Sequence, residues 1–85
     1  MGNEKSLPVS PLSRAAALAV RVELARRGLR QSDLTRLAGR SDAHWSKRLN
    51  LKTGFSLDDI DGLAGAFGLS PDAFMAKVLA ELPND

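Results

Sequence analysis

Gln31-Ser32-Asp33-Leu34-Thr35-Arg36-Leu37-Ala38, then Gly39-Arg40-Ser41, then Asp42-Ala43-His44-Trp45-Ser46-Lys47-Arg48-Leu49-Asn50 spell out two short helices joined by a tight turn. The first part predicts a short helix over residues 31–38 with Leu34, Leu37 and Ala38 inward. Gly39 suits the left-handed conformation that stops such a helix. Ser41 is placed to cap the next helix by accepting from backbone N–H groups just after it. In that helix, predicted over residues 41–50, Trp45 and Leu49 form an i, i+4 apolar pair facing a core. Every other residue is polar or small, which leaves Asp42, Ala43, His44, Ser46, Lys47 and Arg48 for solvent or a partner.

The same signals continue on both sides. Upstream, Leu18, Val22, Ala25 and Leu29 recur at helical spacing from Ser13 onward and predict the inward face of a first helix ending near Gly28. Downstream, Lys52-Thr53-Gly54 reads as a loop. Ser56 then caps a helix carrying Leu57, Ile60, Leu63, Ala64 and Phe67, which Gly68 ends. Ser70-Pro71-Asp72 is the strongest start signal in the chain: a capping hydroxyl, a proline where no N–H is needed, and an acid at the positive helix end. The fifth helix carries Phe74, Val78, Leu79 and Leu82. No stretch alternates in the way a half-buried strand does, so the expected class is all-α, five short helices in one domain. We read residues 1–12 as a flexible arm, 13–82 as the domain and 83–85 as a tail.

With 85 residues the chain is too short for two cores, and 44% hydrophobic against 26% charged residues places it in the globular range. The absence of cysteine excludes disulfides, thiolate metal sites and cysteine nucleophiles. No apolar run approaches a membrane span of roughly 18 residues, and the first eleven residues lack the apolar centre of a signal peptide. The expected location is the cytoplasm, associated with the nucleoid.

The net charge of +2 conceals a split. Residues 13–52 hold ten basic side chains (Arg14, Arg21, Arg26, Arg27, Arg30, Arg36, Arg40, Lys47, Arg48, Lys52) against Glu23, Asp33 and Asp42, a net of +7. Residues 53–85 hold Lys77 against Asp58, Asp59, Asp61, Asp72, Glu81 and Asp85, a net of −5. A basic front and acidic back suit a protein that shows one face to a polyanion.

The motif residues Gly28-Leu29-Arg30-Gln31-Ser32-Asp33-Leu34, Ala38-Gly39-Arg40-Ser41, Trp45-Ser46-Lys47-Arg48-Leu49-Asn50, Leu57-Asp58-Asp59-Ile60 and Leu63-Ala64-Gly65-Ala66-Phe67-Gly68-Leu69 resemble the lambda-repressor-like helix-turn-helix family, the Cro, phage-repressor and XRE type. The likeness covers residues 18–79. It implies a five-helix DNA-binding domain whose third helix reads the major groove of an operator, as a homodimer on a palindromic site. By that pattern Gln31, with Arg30 and Ser32 beside it, contacts phosphate. Asp42, Ala43, His44 and Lys47 face the base edges, with Ser41, Ser46 and Arg48 near the backbone and Lys52 just beyond. Three residues depart from the family: Arg30 stands where a capping Ser or Thr is common, Leu51 where a glycine closes the third helix, and Asp42 where glutamine is frequent.

Plainer readings stand beside these. Trp45 is read as a core anchor rather than a stacking residue. His44 has no second His, no Cys and no acid within reach along the chain, so neither a metal site nor general-base catalysis is expected. Arg14 and Arg21 divide between a solvated face and phosphate contact. Asp58, Asp59 and Asp61 fit the helix dipole better than a cation site. Phe67, Phe74 and Met75 read as core. The expected function is transcriptional regulation, with no cofactor, metal, membrane or small-molecule substrate. The rival is a protein-interaction module of antirepressor or antitoxin type.

Overall fold

The computed structural model describes residues 9–83. The order is α1 (Pro11–Arg27), α2 (Asp33–Ala38), α3 (Asp42–Leu49), α4 (Leu57–Ala66) and α5 (Pro71–Ala80), with no strand among the described residues. Among these helices none is long and apolar enough to cross a membrane. Four of the five begin at a serine that accepts from a backbone N–H three residues on: Ser10, Ser41, Ser56 and Ser70. Ser10 moves the start of α1 ahead of the expected boundary. Pro11 takes the first helical position, and Val9 is already buried, so residues 9–12 belong to the folded body rather than to an arm. The first eight residues of the expected arm, and Asn84 and Asp85 of the expected tail, lie outside the described residues.

The core gathers Val20, Leu34, Trp45, Leu49, Leu63, Phe67, Phe74 and Val78. α1 packs on α3 and α5, α4 on α2 and α5, and α2 on α3. The inward face of α1 is not the one its leucine spacing predicts. Ala15, Ala16, Ala19, Val20 and Leu24 are buried, whereas Leu18 is 47% exposed, Ala25 is exposed, and Val22 and Leu29 are half-buried. Small alanines let the neighbouring helices approach closely, which a leucine would prevent. Glu23 is also buried on this side. Its carboxylate accepts from Arg27 Nε at 3.0 Å and pairs with Arg26 at 3.5 Å and Lys77 of α5 at 3.3 Å. Burial alone would raise its pKa; Arg27 and Lys77 hold it below the ordinary carboxylate range.

Two further leucines from the apolar sets of the fourth and fifth predicted helices lie outside: Leu57, 86% exposed in the first turn of α4, and Leu79, 52% exposed on α5. Leu57 sits where the helix is only starting and no neighbour covers it. Phe67 and Phe74 are buried with ring centroids 6.0 Å apart, and Met75 is half-buried, as read from sequence.

Candidate nucleic-acid interface

α2 begins two residues later than its pattern suggests, because Gln31 and Ser32 form a turn that leads into the helix. Arg30 does not leave that end uncapped. Its N–H donates to Asp33 Oδ2 at 2.8 Å, and this contact holds the Asp33 carboxyl below the usual range, aided by Arg36. Asp33 thus makes the carboxylate half of a capping box on the Arg30 N–H, without the hydroxyl half. Ser32 makes no side-chain cap bond. Arg30 and Ser32 are exposed and Gln31 is half-buried.

The turn to α3 runs through two residues with positive φ, Gly39 at 78° and Arg40 at 71°. Gly39 has ψ −173°, so it takes an extended mirror conformation rather than the left-handed helical one. This turn aims the Gly39 carbonyl at the indole, and Trp45 Nε1 donates to it at 2.8 Å. Trp45 itself is 1% exposed, so the bulk of the ring lies in the core while its polar atom stays satisfied.

At ~3.6 residues per turn, Trp45 and Leu49 define the core side of α3, and the other positions divide into two flanks and an outer stripe. On one flank His44 and Arg48, one turn apart, both reach Asp59 of α4. His44 Nε2 lies 2.7 Å from Oδ1, and Arg48 Nε donates to Oδ2 at 2.7 Å. Ser56 N–H donates to the same carboxylate at 2.9 Å, completing a capping box with Ser56 Oγ. Asp59 is 1% exposed. Burial pushes its pKa up, but the Ser56 N–H, the Arg48 guanidinium and the His44 ring together hold it below the ordinary carboxylate range. An ionised carboxylate only accepts, so Nε2 is the ring nitrogen of His44 that carries a proton.

The opposite flank is tied to α2 and to itself. Thr35 Oγ1 donates to Asp42 Oδ1 at 2.6 Å, and Asn50 Nδ2 donates to Ser46 Oγ at 3.2 Å. At the far end Arg21 of α1 donates to the Leu49 carbonyl at 3.1 Å, which assigns that arginine to closing a helix end. What remains outward is Ala43, Lys47 and Asn50, all exposed, with Ser41, Arg40 and Lys52 exposed at the two ends.

The sequence-derived site is therefore divided. Ser41, Ala43 and Lys47 are each exposed, and Ser46 is half-buried. Asp42 is exposed but already accepts from Thr35. His44 and Arg48, expected to face a partner, are turned to α4, and the acid thought out of reach of His44 is Asp59. Sequence reading missed Asp59 as their partner because it lies fifteen residues from His44 along the chain. The only local signals were its place three residues after Ser56 and the i, i+4 spacing of 44 and 48. Asp58 and Asp61 are exposed at the start of α4.

Comparison with the models of known protein families, with curated proteins and with solved structures finds no match.

Proposed function

We propose that this chain is a sequence-specific double-stranded DNA-binding regulator of the lambda-repressor-like type, with α2 and α3 as its helix-turn-helix and α3 in the major groove. One observation carries the reading: α3 lies at the surface with Trp45 and Leu49 in the core and Ala43, Lys47 and Asn50 outward, inside the positive half of the chain. A groove-reading helix needs that division. Arg30, Arg40 and Lys52, exposed on the turns that flank the two helices, supply sites for phosphate oxygens. His44 and Asp59 support structural work rather than acid–base chemistry, since their shared carboxylate is buried and fully engaged. In this reading the protein acts as a homodimer on a palindromic operator.

The test is selection of binding sites from random duplex DNA, followed by binding titrations. Wild type selects a defined site with salt-dependent affinity. Lys47→Ala weakens binding to it by about 1–3 kcal/mol and relaxes preference at one base pair, while the helical circular dichroism is unchanged. Unaltered affinity and preference in Lys47→Ala would remove the proposal.

The exposed leucines Leu12, Leu18, Leu57 and Leu79 favour a protein contact as well. They serve a homodimer in the first reading and a different protein in the second, an interaction module of antirepressor or antitoxin type. Absence of any salt-dependent retardation of duplex DNA, together with a stable complex with another protein, supports the second.

A further inference from the structure

Within the DNA-binding reading, on which this step rests, we infer that Asp59 is a positioning residue that sets the roll of α3, and that His44 and Arg48 hold that helix rather than read bases. The reading set contracts to Ala43 and Lys47, with Asn50 at the far end of the same stripe.

α3 has eight residues, too few to stand as a helix without its surroundings, so its orientation comes from what grips it. Trp45 and Leu49 fix how deep it lies. Their apolar contacts do not by themselves fix rotation about its axis, because such contacts are non-directional, and the Trp45 Nε1 bond to the Gly39 carbonyl pins the helix at one point on its core side. Directional contacts do. The Asp59 carboxylate takes one donor from each of two successive turns, His44 and Arg48, and is itself held by the Ser56 N–H at the start of α4. Thr35 to Asp42 supplies a single bond on the other flank. With side-chain tips about 6 Å from the helix axis, a roll of about 20° displaces a tip by roughly 2 Å, beyond the tolerance of a hydrogen bond to a base edge. Burial makes the carboxylate a strong clamp, because either partner leaving it strands a charge out of water.

The clamp also removes two donors from the groove. Arg48 Nε is on Asp59 and its Nη1 donates to the His44 carbonyl at 3.3 Å, which closes the guanidinium back onto its own helix. His44 packs edge-on against Trp45, ring centroids 4.7 Å apart, with Nε2 committed to Asp59. Besides the Asn50 amide at the far end, the chemistry left outward is one methyl and one ammonium, a pairing that matches a thymine methyl beside a guanine O6 and N7.

The experiment compares wild type, Asp59→Asn and His44→Phe in the random-duplex selection, each with its affinity for the selected site and for unrelated duplex. Asp59→Asn lowers the ratio of specific to non-specific affinity by about tenfold, with the loss spread over the whole site and non-specific, salt-driven binding retained. That ratio does not depend on how much of the sample is folded, so a purely structural role leaves it unmoved. His44→Phe keeps the ring beside Trp45 and deletes only the bond to Asp59; it lowers the ratio by about threefold, again across all positions, and carries the test if Asp59→Asn does not fold. Undiminished discrimination in both variants overturns the inference, as does a loss in His44→Phe confined to a single base pair, which would make His44 a reader. If wild type itself selects no site, the DNA-binding reading fails first, and the wild-type measurement separates that failure from this one.

Discussion

Leu51 carries a φ of 61°, a conformation that L side chains seldom adopt. Its N–H donates to Arg48 O at 3.1 Å, and the next N–H, of Lys52, reaches back to Lys47 O at 2.8 Å. α1 and α4 close by the same pair of bonds, with glycines at 67° in that position. Leucine there costs about 1–2 kcal/mol of backbone strain, which its half-buried side chain offsets by packing on the core. Leu51→Ala keeps the strain and loses the packing, so it lowers stability by about 1–2 kcal/mol in urea titrations. Leu51→Gly loses the packing and relieves the strain, and it falls within about 1 kcal/mol of wild type. An alanine variant as stable as the glycine variant would contradict this balance. Gly39 is the opposite case. A Cβ there meets nothing within 4 Å, yet φ 78° with ψ −173° is closed to alanine by the backbone alone. Gly39→Ala therefore costs about 1–3 kcal/mol, seen as a lower urea midpoint, by distorting the turn from which Trp45 takes its hydrogen bond.

The contact between α3 and α4 rests on one buried charge cluster, and removing one partner costs more than the pair contributes. Arg48→Ala leaves Asp59 with His44 and Ser56 alone and lowers stability by about 3 kcal/mol. The cluster also sets an acid limit. The folded-state pKa of Asp59 is depressed, so its stabilisation is fully present above the unfolded carboxylate value of about 3.9 and is lost as pH falls through the folded value. Glu23 acts in the same direction between α1 and α5. Urea midpoints measured downward from pH 5 fall below about pH 4, and Asp59→Asn, less stable at neutral pH, shows a shallower fall. An equally steep fall in that variant would assign the acid sensitivity elsewhere. These elements also mark how far the sequence could be read. Helix starts at Ser41, Ser56 and Ser70, and the Trp45 anchor, were legible because caps and i, i+4 pairs are local. The burial of Glu23, the inward turn of His44 and Arg48, and the outward turn of Leu18 were not, because each depends on a residue or surface supplied by a helix distant in the chain.

Across the molecule, the +7 counted over residues 13–52 overstates the charge available to a polyanion. Arg26 and Arg27 are on Glu23, Arg36 is on Asp33 and Arg48 is on Asp59. Among the described residues Arg30, Arg40, Lys47 and Lys52 form no ion pair and are exposed on α3 or on the turns flanking α2 and α3. Each phosphate contact made by such a side chain releases condensed counterions and adds about 0.9 to the slope of log affinity against log salt. Under the DNA-binding proposal, Arg30→Ala and Lys52→Ala each reduce that slope by about one and weaken binding to all duplexes alike. Arg27→Ala is the contrasting variant. Its guanidinium lies 5.2 Å from the centre of the Phe67 ring and donates to buried Glu23, so its loss lowers stability while the slope stays the same. Titrations over a range of potassium chloride concentrations distinguish the two kinds of arginine. Equal slope changes for Arg27 and Arg30 would mean that the chain meets nucleic acid through its overall positive charge, and the assignment of contact to the α2–α3 face would fall.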